Sequence, residues 1–275
     1  MMETKRTIME IPKLTENTEN TVIEMNHFHV WYNNSHALKD FHIRFQKEQI
    51  TCIIGPSGSG KSTMIRSINR INDEVDGFTY QGNILFHGHM HSHTIYQNGI
   101  DVNHLRTQIG MVFQKPSVFP RSIYENVLFG IKHIKKLSKQ EKQQIVEENL
   151  RAVSLWDEVS CRLPEKASTL SIGQQQRLCI ARTLAVKPTV ILLDEPTSSL
   201  DPISTYAIEN LLLRLKEHYT ILFVTHNIIQ AKRIADYIVF VCEGKIIEHG
   251  PKEKLFSHPE KQQTRDYLNT EYCEC

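Results

Sequence analysis

Short apolar runs recur along the chain, and stretches with helical periodicity fill the intervals between them. Gln49-Ile50-Thr51-Cys52-Ile53-Ile54, Thr189-Val190-Ile191-Leu192-Leu193, Thr220-Ile221-Leu222-Phe223-Val224-Thr225 and Tyr237-Ile238-Val239-Phe240-Val241 are nearly continuous and rich in β-branched residues. Such runs predict strands buried on both faces, as in a parallel sheet. Between them, Ile208, Leu211, Leu212 and Leu215 fall at i, i+3, i+4 and i+7, one face of a helix. Asp201 is placed to cap that helix, with Pro202 at its first position. Strands alternating with helices predict an α/β fold with a mostly parallel sheet.

Residues 116–166 carry no strand run. There Ser138 and Glu141 form a capping-box pattern ahead of an apolar stripe of Val146, Leu150 and Val153. A helical subdomain is therefore expected over about 116–180, inserted in an α/β domain spanning 22–265. Residues 1–21 read as a polar N-terminal tail and 266–275 as a loose C-terminal one, while Gly244–Gly250 predicts a short strand between glycines. No internal repeat is evident.

Composition narrows the class. The chain has 275 residues, 40% hydrophobic and 23% charged, enough for a sizeable core and incompatible with wholesale disorder. Lys and Arg number 32 against 31 Asp and Glu, so the balance gives no electrostatic support to a nucleic-acid binder. No segment approaches the roughly 18 apolar residues of a membrane-spanning helix, and the charged N-terminus lacks the apolar stretch of a signal peptide. The six cysteines are scattered, which reads as reduced thiols in a cytosolic compartment.

Candidate chemistry begins with Gly55-Pro56-Ser57-Gly58-Ser59-Gly60-Lys61-Ser62-Thr63, a G-x-x-x-x-G-K-[ST] pattern that follows a strand and opens a helix bearing Met64, Ile65 and Ile68. Glycines let backbone N–H groups turn toward phosphate oxygens, and the helix N-terminus adds partial positive charge. Lys61 is placed to reach the β- and γ-phosphates of ATP and Ser62 to hold Mg²⁺. Downstream, Val190-Ile-Leu-Leu delivers Asp194 to a strand end, where a carboxylate can position Mg²⁺. Glu195, one residue on, can orient or take a proton from the water attacking the γ-phosphate.

Between these two parts lies Leu170-Ser171-Ile172-Gly173-Gln174, followed by Gln175-Gln176-Arg177-Leu178, which resembles the signature motif of ABC transporter ATPases. The resemblance extends, in order, over about residues 22–265. Gln114 in Met-Val-Phe-Gln matches that family's Q-loop glutamine, Ser199-Leu200-Asp201 its D-loop, His226 in Val-Thr-His its switch histidine, and Tyr32 its adenine-stacking aromatic. The resemblance implies that Glu195, His226 and Gln114 serve hydrolysis, with Gln114 also at the metal. It further implies that Ser171, Gly173, Gln174 and Asp201 contact nucleotide across a head-to-tail homodimer holding two ATPs. Ile172 departs from the family's Leu-Ser-Gly-Gly-Gln by replacing its first glycine.

Ser67-Ile-Asn-Arg-Ile-Asn-Asp73, Phe119-Pro-Arg-Ser-Ile-Tyr-Glu-Asn126, Gln174 to Arg182 and Asp201-Pro-Ile-Ser-Thr205 are similar to the ATP-binding subunits of bacterial phosphate importers. That similarity implies a peripheral subunit on the cytoplasmic face of the cell membrane, docked on two integral-membrane permease subunits and served by an extracytoplasmic phosphate-binding protein. The same machine carrying an amino acid or a metal ion is the alternative. A soluble ABC ATPase acting on nucleic acid is disfavoured by the single cassette, the balanced charge and the lack of a long coiled-coil insertion. Val118, Phe119, Ile123, Tyr124 and Val127 are expected to divide between core and a groove for a partner helix, with Phe119 and Tyr124 exposed.

His87-Gly-His89-Met-His91-Ser-His93 stands apart. On one strand its imidazoles would share a face at about 6.6 Å spacing, near enough to share a metal, although a surface loop is expected there. Cys273 and Cys275 read as part of a frayed tail.

Overall fold

The computed structural model describes residues 20–88, 92–133 and 136–270. In chain order it opens with β1 (Thr21–Tyr32), β2 (Ser35–Gln46), β3 (Ile50–Ile54), α1 (Lys61–Ile68), β4 (Phe78–His87), β5 (Ser92–Thr94), α2 (Val102–Gln108) and β6 (Ile109–Val112). Four helices follow: α3 (Ile123–Leu128), α4 (Lys139–Ala152), α5 (Trp156–Val159) and α6 (Ile172–Leu184). The chain then runs through β7 (Val190–Asp194), α7 (Pro202–Leu215), β8 (Thr220–Val224), α8 (Ile228–Ile234), β9 (Tyr237–Cys242), β10 (Lys245–Pro251), α9 (Lys252–Ser257) and α10 (Gln262–Thr270).

Two sheets result. The larger has the order β10-β9-β3-β8-β7-β6 and is parallel except for β10, which returns antiparallel on β9. The smaller is antiparallel, in the order β2-β1-β4-β5. Alternation along the parallel strands feeds two cores. Ile53, Leu192, Val224 and Val239 face the small sheet and α1, while Ile54, Leu193, Phe223 and Phe240 face the other helices. The four apolar runs are thus strands buried on both faces, and the fold is α/β with a mostly parallel sheet, as the sequence predicts, to which the N-terminal portion adds a separate antiparallel sheet.

Among the described residues, the segment between β6 and β7 holds helices and loops and no strand, apart from an isolated bridge between Ser122 and Lys166. Its α4 begins with the expected capping box: Ser138 accepts from the Glu141 amide while Glu141 accepts from Ser138. Val146, Leu150 and Val153 are fully buried.

Three expectations need correction. α10 runs on to Thr270, past residue 265 where a loose tail was expected, because Tyr267 is buried against Phe240 at 4.8 Å between ring centroids. The described ends of the histidine run are strand where a surface loop was expected: His87 closes β4 and His93 lies in β5, with His87 opposite Ser92 and His93 opposite Phe86. That register sends His87 and His93 to opposite faces, so they cannot share a metal as residues of one strand would. His89 and His91, like Cys273 and Cys275, lie outside the described residues. Finally, Cys52, Cys161 and Cys179 are free thiols, while Cys242 is disulfide-bonded where a free thiol was expected.

Candidate functional site

The phosphate loop occupies the turn between β3 and α1, at the C-terminal edge of the parallel sheet. Gly55 has φ +147, and a Cβ there would lie 1.9 Å from the carbonyl oxygen of Val241, so only glycine fits between the loop and β9. Ser57 and Gly58 are exposed at the tip, while Ser59 is buried with its hydroxyl lacking a hydrogen-bond partner. Gly60 precedes α1, and Lys61 folds back so that Nζ donates to the carbonyls of Gly55 at 2.8 Å and Pro56 at 2.7 Å. Burial pushes the Lys61 ammonium below its ordinary value, and the Glu195 and Asp194 charges oppose that shift. A cation at the first position of a helix, behind a glycine-rich loop, is suited to the phosphates of a nucleotide.

Asp194, 2% exposed, ends β7 opposite this helix. Its Oδ1 accepts from Ser62 Oγ at 2.6 Å, and its Oδ2 accepts from Arg66 Nε at 3.1 Å and Nη2 at 2.8 Å. A hydroxyl and a carboxylate, both hard oxygen donors beside the phosphate loop, fit Mg²⁺. Arg66 escaped the sequence reading. The signal was there, since Ser62 and Arg66 are four residues apart and share a helix face.

Because Asp194 pairs in register with Val224, the residues after β7 and β8 emerge side by side. Glu195 takes a left-handed backbone, φ 46, its amide bonded to the Val224 carbonyl. Its Oε2 accepts from His226 Nδ1 at 3.1 Å and from Gln114 Nε2 at 3.4 Å. Gln114 also donates to Ser198 Oγ at 3.1 Å, and fully buried Gln176 anchors its loop by donating to the Phe113 carbonyl. The three residues expected to serve hydrolysis therefore converge on one carboxylate oxygen. Both bonds use Gln114 Nε2, so its Oε1, the atom a metal would take, is not engaged by them.

Tyr32, at the end of β1, leans on Phe78, ring centroids 6.0 Å apart, with Thr63 and Arg66 near its phenol. Burial pushes its phenol up, against the effects of Thr63 and the Arg66 charge. An aromatic ring is thereby fixed beside the phosphate loop, where a base can stack.

The Leu170–Gln174 string forms the start of α6. Ser171 caps the helix in a reciprocal box with Gln174, whose Nε2 donates to Glu158 at 2.7 Å. Gly173 packs on α7, where a Cβ would lie 2.8 Å from Ser204 Oγ, and Ser204 in turn donates to Asp201 at 2.6 Å. Ile172 is accommodated as the first helical residue and stands 54% exposed. Ser171, Gly173, Gln174 and Asp201 thus form one unit at the surface, with Gly173 itself buried against Ser204. Among the described residues none of them hydrogen-bonds the phosphate loop of its own chain. Ile203 and Tyr206 on α7 and Ile229 on α8 are exposed apolar neighbours of this edge.

Comparison with known proteins agrees with this geometry. The family described as ABC transporter matches residues 38–198. The chain is 52% identical over 247 residues to the phosphate import ATP-binding protein PstB of Thermotoga maritima, covering 90% of this chain and 97% of that one. It is 47% identical over 264 residues to phosphate import ATP-binding protein PstB 1 of Vibrio cholerae, covering 96% and 94%. Among solved structures, cbiO1 of Clostridium perfringens, part of the ABC transporter complex cbiONQ, aligns with a TM-score of 0.73 at 29% identity, over 92% of this chain and 96% of that one. A dimeric post-hydrolysis ATP-binding cassette bound to ADP and Pi aligns with a TM-score of 0.70 at 29% identity, over 84% and 98%.

Proposed function

The chain belongs to the ABC transporter ATPase family, and from that premise we propose that it is the ATP-hydrolysing subunit of an importer of inorganic phosphate. The observation that carries the ATPase half is the meeting of Gln114, Glu195 and His226 beside Lys61, Ser62 and Asp194. The solute half rests on the identity to proteins named for phosphate import.

In this reading ATP lies on the phosphate loop with its base on Tyr32. Lys61 exchanges its loop carbonyls for phosphate oxygens. Ser62 and Asp194 would hold Mg²⁺, which when bound neutralises charge developing on the phosphates. Glu195 orients the attacking water and accepts its proton. His226 donates to Glu195 and fixes its direction, and Gln114 reports on the same carboxylate. Ser171, Gly173, Gln174 and Asp201 serve the site of a second copy, which explains why they form a surface unit away from their own phosphate loop. The exposed Ile172, Ile203 and Tyr206 then become interface in the homodimer.

No helix among the described residues is long and apolar enough to cross a membrane, so the coupling we propose runs through docking on two integral-membrane permease subunits, on the cytoplasmic face. Beyond Gln114 lies a groove of about 820 Å³ floored by Tyr124, Leu128, Phe129 and Leu137, with Arg121 and Lys132 on its walls. It suits a partner helix, and Tyr124 lines it as the sequence suggests. Phe119 is packed instead between Phe129, at 4.0 Å between centroids, and the Arg182 guanidinium at 4.5 Å, so it is half-buried rather than free. Deleting the gene and measuring phosphate uptake at micromolar phosphate tests the proposal. Loss of uptake restored by the wild-type gene supports it, and unchanged phosphate uptake with loss of another solute's uptake would replace the solute.

A further inference from the structure

Gln230, in the first turn of α8, is 1% exposed, yet its carboxamide is fully engaged. Oε1 accepts from Thr225 Oγ1 at 2.9 Å and from Thr197 Oγ1 at 3.2 Å. Nε2 donates to Glu209 Oε1 at 3.0 Å and meets the Thr197 hydroxyl at 3.1 Å. Chemistry fixes this orientation. An ionised Glu209 can only accept, so Nε2 must face it and Oε1 is left for the hydroxyls. Glu209, 2% exposed on α7, is itself held by Arg233, with Nε 2.7 Å from Oε2 and Nη2 2.6 Å from Oε1. The Thr225 hydroxyl accepts from the Asn227 amide at 3.0 Å, so its own proton is the one given to Gln230.

The two threonines flank the reacting pair. Thr197 lies two residues after Glu195, and Thr225 immediately precedes His226. A single buried amide therefore ties the segment that presents the carboxylate to the segment that presents the imidazole, and Glu209 joins both to the helix capped by Asp201. Backbone pairing between the two segments ends with the Glu195 amide on the Val224 carbonyl, and beyond it the Gln230 carboxamide links them through side chains.

We propose that Gln230 is a positioning residue for hydrolysis, holding residues 195–197 and 225–227 at the separation that keeps His226 on Glu195. This deepens the ATPase reading above and rests on it.

Gln230→Leu keeps the volume and removes every side-chain hydrogen bond of this residue. The expected result is a fall in kcat of tenfold or more, with KM for ATP and the affinity for a fluorescent ATP analogue within about twofold of wild type, because the phosphate loop and Tyr32 are untouched. A folded Gln230→Leu protein with wild-type kcat overturns the proposal. Should that variant not fold, Gln230→Glu decides. Its carboxylate would face Glu209, and only a protonated carboxyl can both donate to Glu209 and accept from Thr225. Glu209 and Arg233 face this position directly and Glu195 and His226 lie beyond the threonines, so turnover is taken as a ratio to wild type at each pH. The ratio should rise as pH falls from about 8 to about 6. Exchanging the partners, Gln230→Glu with Glu209→Gln, restores one donor and one acceptor and should recover turnover at neutral pH. A ratio independent of pH, together with no recovery in the exchanged pair, overturns the proposal. Glu195→Gln assayed alongside separates the two failures. If it is inactive while Gln230→Leu is normal, only the positioning role falls; if it hydrolyses ATP normally, the catalytic reading and the positioning role fall together.

Discussion

His226 Nδ1 lies 3.1 Å from Oε2 of Glu195, although the two residues are 31 apart in the chain. The parallel register of β7 and β8 brings their segments together, and the left-handed backbone of Glu195 aims its carboxylate at the histidine. A non-glycine residue in that conformation costs roughly 1–2 kcal/mol. The bond from its amide to the Val224 carbonyl and the bond from Ser198 to its own carbonyl hold it there. With its carboxylate accepting from His226 and Gln114, Glu195 is oriented before any substrate arrives.

Glu195→Gln keeps this shape and removes the basicity. Hydrolysis should fall by on the order of 10²-fold or more while ATP affinity is retained, because polarising water matters only on the way to the transition state. The variant should accumulate as an ATP-bound dimer in size-exclusion chromatography. Asp194→Asn should lose nucleotide affinity in the presence of Mg²⁺ instead. A Glu195→Gln protein that turns over at the wild-type rate would show that the wrong carboxylate is named.

Lys61→Ala should abolish hydrolysis and weaken nucleotide binding without unfolding the protein. Lys61 is 4% exposed, but its direct partners are two loop carbonyls rather than a carboxylate, so its removal strands no buried charge. Thermal melting and binding of a fluorescent nucleotide, measured on one preparation, check both halves. A well-folded variant that still hydrolyses ATP would remove the phosphate-loop assignment.

The site was largely legible because its residues sit in contiguous motifs with fixed local jobs: Ser171 and Asp201 cap helices, and Asp194 ends an apolar strand. What contiguity cannot show is which distant side chains complete those motifs. Arg66 on Asp194, Ser198 on Gln114 and Gln230 between Thr197 and Thr225 are contacts created by strand register and helix packing. The fold divides in the same way. β3, β7, β8 and β9, buried on both faces, announce themselves, whereas β1 and β2 are broken by irregular pairing, with positive φ at His27 and Asp40 interrupting their alternation. β6, four residues long directly after α2, leaves too short a pattern to see.

Ser171 should act on the site of the other chain. Ser171→Arg and Lys61→Ala homodimers should each be inactive. Mixed chains form a heterodimer in which one composite site carries both lesions and the other carries neither, so partial activity should return. The capping box of Ser171 with Gln174 adds a control: Ser171→Thr retains a capping hydroxyl and should keep the helix start. Heterodimers that form, as seen by mass spectrometry, yet remain inactive would sink either the cross-chain site or the independence of the two sites.

Glu158 offers a pH-dependent test of how that helix start is held. Its Oε2 accepts from Gln174 Nε2 and its Oε1 from Arg177 Nη1, each at 2.7 Å. Burial pushes its carboxyl up, but the hydrogen bonds from Arg177 and Gln174 outweigh this and bring it below the ordinary range. A carboxyl depressed in the folded state stabilises it above the unfolded value, and that contribution is lost as pH falls through the folded value. Glu158→Gln should therefore melt below wild type at neutral pH, and the gap should close as pH drops from about 6 to about 3. The effect should be modest, under about 1 kcal/mol, since the Glu158 side chain is 40% exposed and solvent screens the pair. Because Gln174 loses its ionised partner in the variant, ATPase activity should fall at neutral pH by more than nucleotide affinity does. A melting gap that is the same at pH 3 and pH 7 would mean that Glu158 acts through its shape and not its charge, and that Arg177 and Gln174 hold the signature segment without it.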